Sequence, residues 1–279
     1  MADETGDHES IYSAIINGEI DAAIIDPGEG VELSTAFDLF GSAPFGPRPR
    51  ELMAWLYAGG GNALLSDIHA QHGLFAMPCA ITATAAAGWF RESVGSVDDV
   101  RGLRMRIQGL AAEAARKVGI EAVDLRDEQL VAAFRTGHLD AAEVSLPSVD
   151  RKLSLHEGAT HYLFPGWHEP ATLMVLLTRI GDWQSLTEAR KRQIEMACGD
   201  NVRHGIAETE AAQFDALKDL AGLGVEVGRL PDDVVHAFSA AWLTVAEEQA
   251  EQDETFAAVW QSLSAFREDY AIWNEISSF

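Results

Sequence analysis

Short apolar runs alternate with segments of helical period along most of this chain, and that alternation admits few architectures. Residues 10–17 (SIYSAIIN) have the spacing of a short amphipathic helix stopped by Gly18. Residues 20–25 (IDAAII) read as a buried strand broken by Pro27, Gly28 and Gly30. Arg50–Ala58 returns to helical period and closes at Gly59–Gly61, where glycine accepts a left-handed backbone at little cost. Residues 73–77 (GLFAM) form a strand that ends before Pro78, and Ser96–Val100 is a capped turn with Asp98 and Asp99 behind its serine. Arg104–Ile107, Val123–Leu125 and Leu139–Val144 are further strands, and residues 110–118 and Glu128–Thr136 are helices ending at Gly119 and Gly137. Ser185–Leu220 is a long helix with a break expected near Gly199 or Gly205. From Asp232 onward the pattern is mostly helical, with Trp242, Phe256, Trp260, Phe266 and Trp273 at core spacing. Strands alternating with helices predict parallel strands in βα units, not a sandwich or a bundle.

One phrase recurs. IINGEIDAAI (15–24) aligns with FRTGHLDAAE (134–143), with Gly18 on Gly137 and Asp21 on Asp140. Each copy gives a helix end, a glycine, a polar residue, Ile or Leu, and Asp-Ala-Ala opening a strand. A common αβ corner arising by chance is one explanation. Two related lobes, each with its own sheet, is the other, and it would place a ligand between the carboxyl ends of the strands. The exits Asp26-Pro27-Gly28 and Glu143-Val144-Ser145 would then face one cleft.

The formal charge of −24, from 44 acidic and 20 basic residues, argues against nucleic acid or anionic lipid as a partner. An anionic ligand would need a local basic group set against that field. No apolar run reaches the ~20 residues of a membrane span. Cys79 and Cys198 fit no zinc spacing and read as two inert core thiols, with a single disulfide as the alternative. The start, MADETGDHES, has neither the basic nor the apolar region of a signal peptide. No phosphate loop, dinucleotide fingerprint or nucleophile elbow is present, so no organic cofactor is expected.

Three charged residues stand out. In RMRIQG (104–109), strand alternation sends Arg104 and Arg106 to one face and Met105 to the other. Arg106 lies near the strand's end, where its guanidinium could take a carboxylate through two parallel hydrogen bonds, or could simply pair with an acid of the chain. Glu143 sits in the apolar run AAEV, where a carboxylate needs a cation or an exit to a cleft. Glu169 lies in GWHEPA, in a loop held between Pro165 and Pro170. Two such acids and a backbone carbonyl suit Na⁺ or Ca²⁺. They could equally be the acid/base pair of a hydrolase, or unrelated surface acids. His168 lacks any metal or catalytic spacing and reads as a packing or hydrogen-bonding histidine.

The stretch AFDLFGSAPFGPRPRELMAWLYAGGG (36–61), GWF (88–90), GLRMRIQG (102–109), GHLDAAE and PGWHEPA (165–171) resembles the solute-binding family of TRAP-type transporters. The likeness is to the branch that binds 2-oxo acids or related monocarboxylates, and it runs in order from about residue 10 to the C-terminus. It implies an α/β, two-lobed, periplasmic-binding-protein-like fold with long C-terminal helices. Residues 1–82 with 173–212 would form the first lobe. Residues 83–172 with 213–279 would form the second lobe and the bridging helices. It implies a non-catalytic protein of the periplasm whose partners are a small organic acid and the membrane permease subunits. Arg106 matches the family's carboxylate-binding arginine. Glu143, the Val144 carbonyl and Glu169 match the groups that hold a bridging cation.

The chain departs from that pattern in places. Gly28 stands where the branch has an aromatic contact, Ala85 upstream of GWF where it has a polar one, and Val144 where it has tryptophan. These three positions and Trp89 complete the expected ligand-binding set. Smaller residues predict a wider, less polar pocket and a bulkier or more apolar acid than pyruvate. The family also carries an export signal and a strand, helix and strand ahead of the point where this sequence starts. The expectation is an incomplete first lobe whose exposed sheet edges call for a homodimer or another cover. If the start is genuine the protein would be cytoplasmic. A shortened relative serving as a scaffold or sensor is the alternative function.

Overall fold

The echoed corner occurs twice in the structure, once in each of two sheets. A computed structural model describes residues 10–277, so the reading of the first residues, MADETGDHES, falls outside the described residues except for Ser10. Ser10 caps helix α1 (Ile11–Asn17) by accepting the Ser13 N–H. Gly18, at φ 80°, ends it by donating to the carbonyls of Ala14 and Ile15, and strand β1 (Ala22–Ile25) follows. Then come α2 (Asp38–Gly41), α3 (Pro49–Ala58), α4 (Gly61–Gln71), β2 (Leu74–Ile81), β3 (Gly88–Phe90), α5 (Val97–Val100), β4 (Arg104–Arg106), α6 (Gly109–Val118), β5 (Glu121–Val123) and α7 (Asp127–Thr136). Gly137, at φ 72°, ends α7 with the same pair of bonds, here to Ala133 and Phe134, and β6 (Ala141–Ala142) follows. The remaining elements are α8 (Pro147–Asp150), β7 (His161–Phe164), β8 (Leu173–Arg179), α9 (Ile180–Ser185), α10 (Glu188–Gly222), β9 (Glu226–Arg229), α11 (Asp232–Gln252) and α12 (Glu254–Ser277).

The first sheet has the order β1-β8-β2 and the second β5-β4-β6-β3-β7-β9. The expectation of parallel strands fails in the first sheet, where both pairings are antiparallel. Parallel neighbours need a crossover within one sheet. Here β8 arrives from the second sheet and runs back between β1 and β2. The second sheet is mixed: β4 pairs parallel with β5 and β6, and β7 with β9, whereas β3 runs antiparallel to β6 and β7.

Other expectations are corrected. The strand read as ending before Pro78 continues to Ile81, because Pro78 falls at a register shift where a missing N–H costs the ladder little. The strand read over Leu139–Val144 is paired only over Ala141–Ala142. Helix α10 runs unbroken through Gly199 and Gly205 for 35 residues. Packing of buried Cys198 and Val202 outweighs a propensity cost of about 1 kcal/mol per glycine. Cys79 and Cys198 are joined in a disulfide that closes 119 residues and fastens β2 to α10, so the free-thiol reading was wrong. Trp242 and Phe256 are core residues and Trp260 and Phe266 pack on the core, but Trp273 is 60% exposed near the end of α12.

The chain passes between the sheets at 82–87 and 165–172, where Thr82 N–H donates to Thr172 O (3.0 Å), and again along α10. Helix α11 lies on α6, with Lys117 Nζ 2.8 Å from Glu248 Oε1. Helix α12 returns to the first-sheet side, where Trp55 Nε1 donates to Ser262 Oγ and Arg267 pairs with Glu51. No helix among the described residues is long and apolar enough to cross a membrane.

Candidate functional site

Arg104 and Arg106 leave the same face of a three-residue strand and meet different fates. Arg104 Nε and Nη2 donate to Asp140 at 2.9 Å each, and Nη2 also reaches the Gly137 carbonyl at 2.7 Å. It is fully engaged in bracing the Asp-Ala-Ala corner. Two residues on, Arg106 Nη1 donates to Glu143 O (2.9 Å) and Oε2 (3.2 Å). Its Nε and Nη2 make only longer bonds, 3.3 Å each, to Leu125 O and Asp127 Oδ1.

Arg106 lines a cavity of about 470 Å³ with Glu143, Val144, His168 and Glu169. The opposite wall comes from the loop after β1 and from α2, and includes Asp26, Gly28, Glu29 and Asp38. Both exits of the echoed corner therefore open on one cavity. The segment 82–87 holds its floor together. Ala85 N–H donates to Glu169 O (3.1 Å), Thr84 Oγ1 to Pro170 O (2.7 Å) and Ala86 N–H to Ser145 O (3.2 Å). Gly166 N–H donates to Ala85 O, and a Cβ at Gly166 would lie 2.3 Å from that oxygen, so only glycine allows this approach.

Two expected contacts lie elsewhere. Ala85 does not line the cavity; its backbone clamps the Glu169 loop from behind. Trp89 is fully buried in β3, tilted against Tyr162 with ring centroids 4.4 Å apart, and its Nε1 donates to Asp150 Oδ2 at 3.0 Å. Tyr162 OH donates to the same oxygen at 2.8 Å. Burial, with Glu143 and Glu169 adding to it, outweighs those bonds and pushes the Asp150 carboxyl up to about 7. Nor is the cavity apolar. Gly28 and Val144 leave room, but Asp26, Glu29 and Asp38 surround it. Burial, then neighbouring carboxylates, push Asp26 up to about 6 and Asp38 up to about 7.

Sequence reasoning undervalued His168. It is 4% exposed, and both ring nitrogens lack a hydrogen-bond partner among the described residues. Its Nε2 lies 3.4 Å from Glu143 Oε1, an ion-pair distance without hydrogen-bond geometry. Burial is the largest single influence on its pKa and lowers it, but Glu143, Glu169 and Asp150 together turn the net shift upward. Glu169 accepts a bond from Thr172 Oγ1, and burial raises its pKa. Ligand atoms of Glu143, His168 and Glu169 lie within 4.8 Å of one another, a donor set able to hold a cation. A larger cavity of about 710 Å³ lies between the first sheet and the α9–α10 region, lined mainly by Ile24, Leu176, Trp183 and Ile194. It lacks Arg106, Glu143 and Glu169 and is not the candidate site.

A protein of Nostoc described as a monocarboxylate 2-oxoacid-binding periplasmic protein is 30% identical over 236 residues, covering 85% of this chain. The match spans 65% of that relative's length, slightly under two thirds. A TRAP transporter solute-binding protein from Bordetella bronchiseptica superposes with a TM-score of 0.89 at 27% identity, over 95% of this chain and 79% of that one. That protein is a dimer with calcium and picolinate in one site and nothing in the other. A TRAP periplasmic solute-binding protein from Pseudoalteromonas atlantica, solved with sodium and pyruvate, gives a TM-score of 0.88 at 26% identity, over 96% and 82% of the two chains. The model of the family described as bacterial extracellular solute-binding protein, family 7, matches residues 2–253, and the chain belongs to that family.

Proposed function

We propose that this protein captures a small organic acid, a 2-oxo acid or related monocarboxylate, together with a cation, and presents it in the periplasm to the membrane subunits of a TRAP-type transporter. The observation that carries the reading is the charge balance of the cavity: five carboxyl groups (Asp26, Glu29, Asp38, Glu143, Glu169) face one arginine. An anion entering alone would be repelled; an anion entering with a cation would not. Arg106 takes the ligand's carboxylate by giving up its long bonds to Leu125 O and Asp127. Glu143, the Val144 carbonyl and Glu169 hold Na⁺ or Ca²⁺ beside it. Gly28 contributes to the opposite wall. The relatives solved with a cation and a small carboxylate support this assignment.

In this reading residues 1–82 and 173–212 act as one lobe, and 83–172 and 213–279 as the other with the bridging helices. The role is binding, with no catalytic residue. A homodimer belongs to the reading, since Ile24 on edge strand β1 is 52% exposed and the Bordetella relative is a dimer. Light scattering at micromolar concentration distinguishes dimer from monomer.

Thermal unfolding against a panel of 2-oxo and 2-hydroxy acids, with and without Na⁺ or Ca²⁺, tests the function. An acid at about 100 times its dissociation constant adds about 2.7 kcal/mol of stability. The expected shift needs the cation and disappears in Arg106→Ala. No shift with any acid would overturn the reading in favour of a scaffold. Pyruvate as the tightest of a graded series would refute the wider cavity left by Gly28 and Val144.

A further inference from the structure

The space around Arg106 does not end at the first turn of α6. Val31, Asp38, Gln108, Gly109 and Leu110 line the Arg106 cavity and also a second one of about 330 Å³, so the two meet over the start of that helix. Thr35, Ala112, Val123 and Gln249 belong to the second cavity alone, and Arg106, Glu143 and Glu169 to the first alone. Gly109 stands at the junction without a side chain, and a Cβ built on it would lie 3.7 Å from Asp38 Oδ2. The polar groups of the second cavity are occupied within the protein. Gln108 Nε2 donates to Asp124 Oδ1 at 2.8 Å, Gln249 Nε2 to Glu113 Oε2 at 3.3 Å, and Thr35 Oγ1 to Asp253 Oδ2 at 2.7 Å. A polar ligand end would have to displace these bonds for little net gain, because one hydrogen bond is exchanged for another. A distal carboxylate would also face Asp38, Glu113 and Asp124, with Arg116 the only cation of that lining among the described residues. What the cavity leaves free is apolar surface: Val31 is 39% exposed, Val123 is half-buried, and Leu110 and Ala112 lie behind them.

We propose that the second cavity takes the tail of the bound acid, so that the ligand class is a 2-oxo or 2-hydroxy acid with an unbranched alkyl chain several methylenes longer than pyruvate. The carboxylate stays on Arg106, and the chain passes over Gly109 into the space beside Val31 and Val123. With Asp38 so close to Gly109, a slender chain passes where a branched or aromatic one does not. Each methylene that leaves water there adds hydrophobic free energy, and none needs a polar partner. The first cavity reads the acid group and the second reads the length of the chain. This inference rests on the placement of the acid at Arg106 in the proposed function.

The test titrates pyruvate, 2-oxobutanoate, 2-oxopentanoate and 2-oxohexanoate calorimetrically into the full chain at saturating Ca²⁺. Affinity is expected to rise about threefold to fourfold with each added methylene. Val123→Phe narrows the second cavity and leaves Arg106, Glu143 and Glu169 in place. It should keep pyruvate affinity within about twofold while removing most of the gain for 2-oxohexanoate. Should that variant fail to fold, Ala112→Leu makes the same comparison from the α6 side. The six-carbon acid with a second, distal carboxylate, 2-oxohexanedioate, should bind more weakly than 2-oxohexanoate. A preference for that diacid overturns the proposal, as does an equal loss of pyruvate and 2-oxohexanoate in the cavity variants. Pyruvate bound with no gain along the series defeats this inference and leaves the proposed function standing. A protein that binds none of the four acids overturns both.

Discussion

The two walls of the cavity are built on opposite principles. The wall carried by the second sheet holds the only arginine of the lining, and its charged groups are braced by named partners: Arg106 by Glu143, Asp127 and Leu125, and Glu169 by Thr172 and the Ala85 backbone. The wall carried by the first sheet presents Asp26 and Asp38 with no cation paired to either among the described residues. Asp26 Oδ1 is occupied with the Gly28 N–H at 2.8 Å. The wall carried by the second sheet can therefore grip a ligand by charge, while the wall carried by the first sheet mainly sets how much negative charge an incoming anion must face. Stability divides differently. The disulfide belongs to the first sheet and the buried Asp150–Trp89–Tyr162 cluster to the second.

The sharpest way to break this contrast is to remove the grip. Arg106→Ala is expected to weaken acid binding by about 2–5 kcal/mol, roughly thirtyfold to several thousandfold, by calorimetric titration. Arg104→Ala, two residues along the same strand, leaves affinity within about threefold because it touches only the corner. Equal losses in both would show that the strand, not the Arg106 guanidinium, is what matters. Removing the disulfide with Cys79→Ala and Cys198→Ala should cost about 2–5 kcal/mol of stability, lowering Tm by roughly 5–10 °C, with acid affinity kept. Loss of binding without loss of stability would reverse the division of labour.

Asp150 probes the second sheet. Its carboxyl is raised from 3.8 to about 7 in the folded protein, so the folded state holds the proton more tightly than the unfolded chain. Stability from this group is greatest at acid pH and is lost as pH rises through that window. Asp150→Asn cannot ionise, so the variant should gain on wild type by a few kcal/mol between pH 5 and 8 in urea unfolding. A constant difference across that range would contradict the placement of an uncompensated carboxyl there. The smallest effect belongs to Asp38, raised to about 7 by burial, then by Asp26 and Glu113. At saturating cation, Asp38→Asn should match wild-type acid affinity near pH 5.5 and exceed it by about twofold to fivefold at pH 8 and low salt. A variant that binds more weakly at pH 8 would mean that this carboxyl contacts the ligand.

Much of the site was legible because its signals are local. The repeated glycine corner gave two helix ends and two strand starts, and strand alternation put Arg104 and Arg106 on one face. Glu143 stood out as an acid within alanines and valine. The rest depends on contacts that no local pattern encodes. The antiparallel β8 and the Cys79–Cys198 bond follow from how the chain returns from the second sheet and how α10 crosses β2. Trp89 resembled a cavity aromatic because its motif adjoins the site, yet register with Ala142 seats it inside the sheet. His168 was undervalued because the acids around it, Glu143 and Glu169, come from a different loop and from its own neighbour. A histidine directly before an acid in a proline-framed loop was the available signal.

The central claim is that acid and cation bind as one unit between Arg106 and the Glu143–Glu169 pair. Calorimetric titration of pyruvate into chelator-stripped protein, and into the same protein loaded with Ca²⁺, tests it directly. The account predicts that the cation tightens pyruvate binding by about tenfold or more, with pyruvate tightening the cation by the same factor. Equal pyruvate affinity with and without the cation would contradict it.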